Sequence, residues 1–190
     1  MENAFKFQPD AVTGEQMRMI QRVQQGFHCS EILMFAGLEA QGKTNPDLIK
    51  AVSALAGGVG FSGEICGALT GGACLLGLYD GRGSENETSD ARLNIMVSEL
   101  MDWFSEKYGE PYGGIKCREI TEDDPKNQPL RCPRIVAGVL RKVKSLLAEN
   151  HFEWEQEASC NEPDRKADEI QELPPRSEAQ SACPCVARVG

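Results

Sequence analysis

The chain has 190 residues, a formal charge of −9 and 41% hydrophobic residues, which suits one ordinary globular core with an appendage. Lys and Arg are scattered rather than clustered, so phosphate-backbone recognition is excluded as the main task and nucleic acid is not an expected partner. No apolar run approaches the roughly 20 residues that span a bilayer, and Met1-Glu2-Asn3-Ala4-Phe5-Lys6 lacks the apolar stretch of an export signal, so a cytoplasmic location off the membrane is expected.

Helical spacing dominates from the start. Met17, Ile20 and Val23 recur three apart, as do Ile32, Phe35 and Leu38 in a segment opening near Cys29. Pro46 behind Asn45 reads as a first-turn proline after an N-cap, starting a helix through Leu48, Val52 and Leu55 that stops at Gly57-Gly58. Gly57-Gly58-Val59-Gly60 is then a tight turn. Ser62 is the expected cap of the next helix, from Gly63 to about Leu78, which carries no Lys or Arg and should lie at the centre of the fold.

Ser89 or Asp90 is expected to open the longest helix, with the stripe Leu93, Val97, Leu100 and Phe104, Trp103 beside it and a stop at Lys107-Tyr108-Gly109. After a loop rich in Gly, Pro and Asp, Pro133 marks the start of a last helix through Val136, Leu140, Val143 and Leu147 to about His151. No strand-like alternation and no repeat appears. The fold class expected is all-α, a compact bundle of about five or six helices over residues 1–152. Residues 153–190 carry nine acidic and four basic residues with Pro174-Pro175 and few large apolar groups, the composition of a disordered acidic tail.

Eight cysteines are the anomaly, because a reducing compartment disfavours structural disulfides and leaves metal or redox chemistry to explain them. Cys29 lies near a helix start, Cys66 lies four residues past the expected Ser62 cap, and Cys132 precedes Pro133 as an expected N-cap. Unpaired N–H groups and the helix dipole at such ends favour thiolate and lower a thiol pKa. Cys117 stands between Lys116 and Arg118, and Cys132 between Arg131 and Pro133-Arg134, which adds positive charge. The bland alternative, four cysteines acting as small core hydrophobes, is weighed against that placement.

Cys74 differs. Eight residues separate it from Cys66 on the expected helix, about 12 Å, which excludes a disulfide between them and favours core packing. Gly63, Gly67 and Gly71 recur every fourth residue and form a smooth groove for a second helix or a cofactor. Cys160 and Cys183-Pro184-Cys185 fall in the acidic tail. His28 reads as a helix-end polar residue rather than a ligand, and the zinc, haem, thioredoxin and dinucleotide spacings are absent.

The order Cys29, then Cys66-Gly67-Ala68-Leu69-Thr70-Gly71, then Cys117 and Cys132 resembles the family named for its pattern, C_GCAxxG_C_C. Gly57-Gly58-Val59-Gly60, Gly77-Leu78 and Cys117-Arg118-Glu119 are similar to the family's usual context, over roughly Gly26 to Leu147. The name places Gly before Cys, whereas here Ile65 precedes Cys66 and Gly67 follows it. The resemblance implies a redox-active protein of anaerobic bacteria and archaea, similar to a domain found in split-Soret cytochromes. It puts the family's four cysteine positions at Cys29, Cys66, Cys117 and Cys132.

Three functions follow. The first is electron transfer through a [2Fe–2S] or [4Fe–4S] iron–sulfur cluster held by Cys29, Cys66, Cys117 and Cys132, with Gly67 and Gly71 giving the cofactor room and a redox partner protein exchanging electrons. The second is metal-free thiol–disulfide chemistry pairing Cys117 with Cys132, with Cys29 or Cys66 as attacking thiolate. The third is a structural zinc in an interaction module. No acid–base pair or substrate pocket is legible, so enzyme status and any homo-oligomer stay open.

Overall fold

The computed structural model describes residues 13–88 and 91–154. The expectations for the acidic tail, its cysteines and the Ser89 or Asp90 start fall outside them. Among the described residues there is no strand, and six helices have eight residues or more, as the periodicity predicts. No helix among them is long and apolar enough to cross a membrane.

Helix α1 (Gly14–Gln24) opens on a reciprocal cap: Thr13 Oγ1 accepts from Gln16 N, and Gln16 Oε1 accepts from Thr13 N. Its spacing is correct, yet Met17, Ile20 and Val23 face solvent; Met19 is the residue that leans on the core. Helix α2 (Cys29–Ala40) is capped by His28, whose N–H donates to Glu31 Oε2 at 2.9 Å. Helix α3 (Pro46–Ser53) begins as expected, with Asn45 Oδ1 accepting from Leu48 N.

Helix α4 (Gly67–Asp80) is the hub, packed against α2, the following helix and the last one, with Ala68, Leu69, Leu75 and Leu76 fully buried. Its start differs from the expectation. Ser62 does not cap it, because Gly63 is left-handed (φ +78°) and Ile65 pairs in an isolated antiparallel bridge with Lys116. The helix therefore begins at Gly67 and Cys66 is its N-cap.

Helix α5 (Ala91–Phe104) buries Met96, Leu100 and Phe104. The chain does not stop at Gly109 but passes through a π-turn (Ser105–Gly109) into α6 (Glu110–Tyr112), and Gly113 ends it in the left-handed conformation. Helix α7 (Cys117–Thr121) and a 3₁₀ turn (Pro125–Asn127) lead into α8 (Gln128–Glu149), whose 22 residues make it, not α5, the longest described helix.

Pro133 does not start α8. Pro129 takes the first turn and Pro133 lies inside the second, where its missing N–H forfeits only a bond to the Pro129 carbonyl. Cys132 is therefore within the helix and is no N-cap. Helix α8 supplies Ile135, Val136, Val139, Leu140, Val143, Leu146 and Leu147 to the core. Beyond it, Trp154 stacks on Tyr79 at 5.8 Å and lies under Lys144.

Candidate cysteine site

The segment between α3 and α4 is bent by an unusual run of left-handed residues: Gly57, Gly58, Val59, Gly60, Phe61 and Gly63 all have φ between 60° and 78°. Glycine adopts this freely, but a β-branched Val59 and an aromatic Phe61 do so at a cost of roughly 1–3 kcal/mol each. Both are exposed, so burial does not compensate. Hydrogen bonds do: Gly60 N donates to Ala54 O, Phe61 N to Ala56 O, Gly63 N to Gly57 O and Glu64 N to Gly58 O.

This loop carries Cys66 to Cys117. Cys66 N donates to Ile115 O at 3.0 Å and Cys117 N to Glu64 O at 2.6 Å, flanking the Ile65 and Lys116 bridge. The two cysteines each follow a bridged residue, so they leave one face of this short ladder as diagonal neighbours. Gly58 permits the approach, since a Cβ there would lie 2.8 Å from Cys117 Cβ and 2.5 Å from Glu64 O.

Cys29, the first residue of α2, reaches the same place from the other side. A Cβ on Gly67 would stand 2.6 Å from Cys29 Sγ, and one on Gly71 would stand 2.7 Å from Ser30 Cα. The glycine groove of α4 thus faces the N-terminus of α2, with Gly67 against the thiol and Gly71 against the backbone; Gly63 lies outside the helix against Arg118. Cys132 lies on α8, and its thiol is raised by burial and then by the neighbouring Cys29 and Cys117.

The helix ends do not lower these thiol pKa values, contrary to the sequence-based expectation. Burial pushes Cys66 up to about 12, with the Cys29 and Cys117 thiols adding to it, while the N–H groups of Ala68 and Leu69 pull weakly the other way. Cys132 is pushed up to about 11 by burial and by Cys29 and Cys117. Cys29 is raised by burial against N–H groups of Gly57 and Ser30, and Cys117 by burial, Cys29 and Asp123. Desolvation is the largest cause at every one.

The cations beside the cysteines also turn elsewhere. Lys116 and Arg118 both pair with Glu64, at 2.8 and 3.1 Å. Arg131 donates to Ile120 O and Glu122 and covers the Tyr112 ring. Lys116, Arg118 and Arg131 are thus engaged by carboxylates and carbonyls.

The remaining candidates separate from the set. Cys74 packs in a second cluster with Met34, Leu38, Ile49 and Val52. His28 caps α2 and meets the Phe61 ring edge-on at 5.0 Å. All five described cysteines are free thiols. Among the described residues no three His, Cys, Asp or Glu side chains gather tightly enough to hold one metal ion. The sequence did not reveal a cleft of about 110 Å³ beside Cys117, walled by Gly57, Phe61, Arg118, Thr121 and Asp123. Its walls meet through left-handed residues that carry no sequence signature.

The pattern of a family described as "Putative redox-active protein (C_GCAxxG_C_C)" matches residues 27–146, more than half of the chain and the whole span from before Cys29 to beyond Cys132. No curated protein and no solved structure matches the chain. The chain belongs to the C_GCAxxG_C_C family of redox-active proteins.

Proposed function

We propose that this protein transfers electrons through an iron–sulfur cluster held by Cys29, Cys66, Cys117 and Cys132. The observation that carries the reading is the gathering of thiols: Cys29 Sγ lies 2.6 Å from where a Gly67 Cβ would stand, Cys66 and Cys117 flank the Ile65 and Lys116 bridge, and the Cys66 and Cys132 thiols are each raised by burial and then by Cys29 and Cys117. Burial pushes the Cys66 thiol up to about 12 and raises the Cys29 thiol as well, which disfavours the thiolate of either. Thiol–disulfide exchange needs that thiolate as attacking group, so the metal-free protein is a poor exchanger.

A soft cationic group supplies what the chain withholds, replacing four thiol protons with positive charge. The all-sulfur donor set fits such a group. When bound, the cluster takes up and returns one electron at a time.

The chain's own residues do the rest. Burial of Cys66 keeps water from one side, and Gly67 keeps side-chain bulk off Cys29. Cys117, beside the open cleft, is the ligand that faces a redox partner protein.

The test is anaerobic purification with iron, zinc and sulfide analysis and a visible spectrum, repeated for serine variants at each of the four positions and at Cys74. Iron with equimolar sulfide is expected in the wild type and Cys74→Ser, and loss of both in the other four. A colourless protein holding zinc alone, or no metal, overturns the reading.

A further inference from the structure

We infer that Arg118 is a positioning residue, the clamp that sets Cys117 and Cys66 in register; the inference deepens the reading of these thiols as one ligand set. The guanidinium spans three successive residues of the strained loop. Its Nη2 donates to Ser62 O at 2.5 Å and to Glu64 Oε1 at 3.1 Å, and its Nε donates to Gly63 O at 3.2 Å. Its backbone N–H also donates to Gly63 O.

Each acceptor lies just ahead of Cys66 and the donor follows Cys117, so one side chain ties the two ligand segments across the Ile65 and Lys116 bridge. The bridge is a single residue pair, little to hold a loop whose Val59 and Phe61 are left-handed. Gly63 is shaped for the clamp, since a Cβ there would sit 3.0 Å from Arg118 Nε. Only a fork of several N–H donors reaches two carbonyls and a carboxylate together; a lysine ammonium supplies a single point charge.

The experiment titrates the reduced, metal-free full chain with Cd²⁺. It follows sulfur-to-cadmium charge-transfer absorption and maps by alkylation which cysteines become protected. In the wild type Cys66 and Cys117 become protected together. In Arg118→Ala the Cd²⁺ needed to protect that pair rises by about tenfold, the scale of one lost charged hydrogen bond, with helix content unchanged. Arg118→Lys, which retains the charge and the aliphatic stem, is expected to recover only part of the loss, and Glu64→Gln, which removes the carboxylate contact and leaves both carbonyl contacts, is expected to fall between the wild type and Arg118→Ala.

Wild-type protection in Arg118→Ala, or in Arg118→Lys if the alanine variant does not fold, overturns the inference. So does a wild type in which Cys66 and Cys117 are not protected together. Iron analysis of the isolated protein is read separately: Arg118-dependent Cd²⁺ protection in a chain isolated without iron sinks the cluster and leaves the clamp standing.

Discussion

Gly67 and Cys29 occupy one space: the Cβ that any other residue would add at position 67 lies 2.6 Å from the Cys29 sulfur and 2.7 Å from Leu55 O. The carbonyl cannot yield cheaply, because it is backbone just past α3 and accepts from Val59 N. Gly67→Ala is expected to cost about 1–3 kcal/mol in chemical denaturation, the range for overpacking, and to abolish the visible chromophore that the proposed cluster would give. Gly72→Ala is the matched control. A Cβ there meets Val139 and Leu100, so it should destabilise comparably and leave the chromophore intact.

Raised thiol pKa values make the metal-free protein alkali-sensitive. Cys66 and Cys132 rise from 9.0 in the unfolded chain to about 12 and about 11 in the fold. Above pH 9 the unfolded chain therefore loses protons that the folded chain retains. Their contribution to stability is complete below pH 9 and is lost as the pH climbs toward 12. Denaturation midpoints at pH 8 and pH 10.5 should show the decline, and Cys66→Ser should flatten it. A midpoint independent of pH in this range contradicts the buried, neutral thiols.

Val59 stores strain that glycine would release. Its φ of 61° is costly for a β-branched side chain, and at 48% exposure little apolar contact is lost on truncation. Relief of roughly 1–3 kcal/mol exceeds the entropy of a new glycine, roughly 0.5–1 kcal/mol. Val59→Gly should raise stability by about 1 kcal/mol, read from the denaturation midpoint; a drop would show that the loop is not left-handed at this residue.

Cys74 separates the packing role of a cysteine from the ligand role. It sits among Met34, Leu38, Ile49 and Val52, away from the other four thiols. Cys74→Ala is expected to cost about 1 kcal/mol through lost contact and to leave metal content, colour and Cd²⁺ titration unchanged. Loss of colour in this variant would place Cys74 at the site.

The helices were legible where caps and periodicity agreed, as with Asn45 and Pro46 at α3 or the apolar stripe of α5. The starts of α4 and α8 were not, for one reason. Ser62 and Pro133 are good start signals, but tertiary contacts override them: Gly63 turns left-handed to meet Arg118, and Pro129 already occupies the first turn of α8. The π-turn at Ser105–Gly109 has no local signature, since Gly109 and Pro111 read as a stop. The four cysteines were legible by position along the chain, yet their electrostatics were not. Lys116, Arg118 and Arg131 look like partners for thiolates until the fold brings Glu64 and Glu122 to them.

The partnership of Arg118 with Glu64 spans 54 positions. A contact of that separation forms only after α5 and the π-turn have packed, so local helix formation cannot assemble it early. Cys66 therefore gains its final register late, when residues 115–118 arrive to bridge and clamp the loop ahead of it.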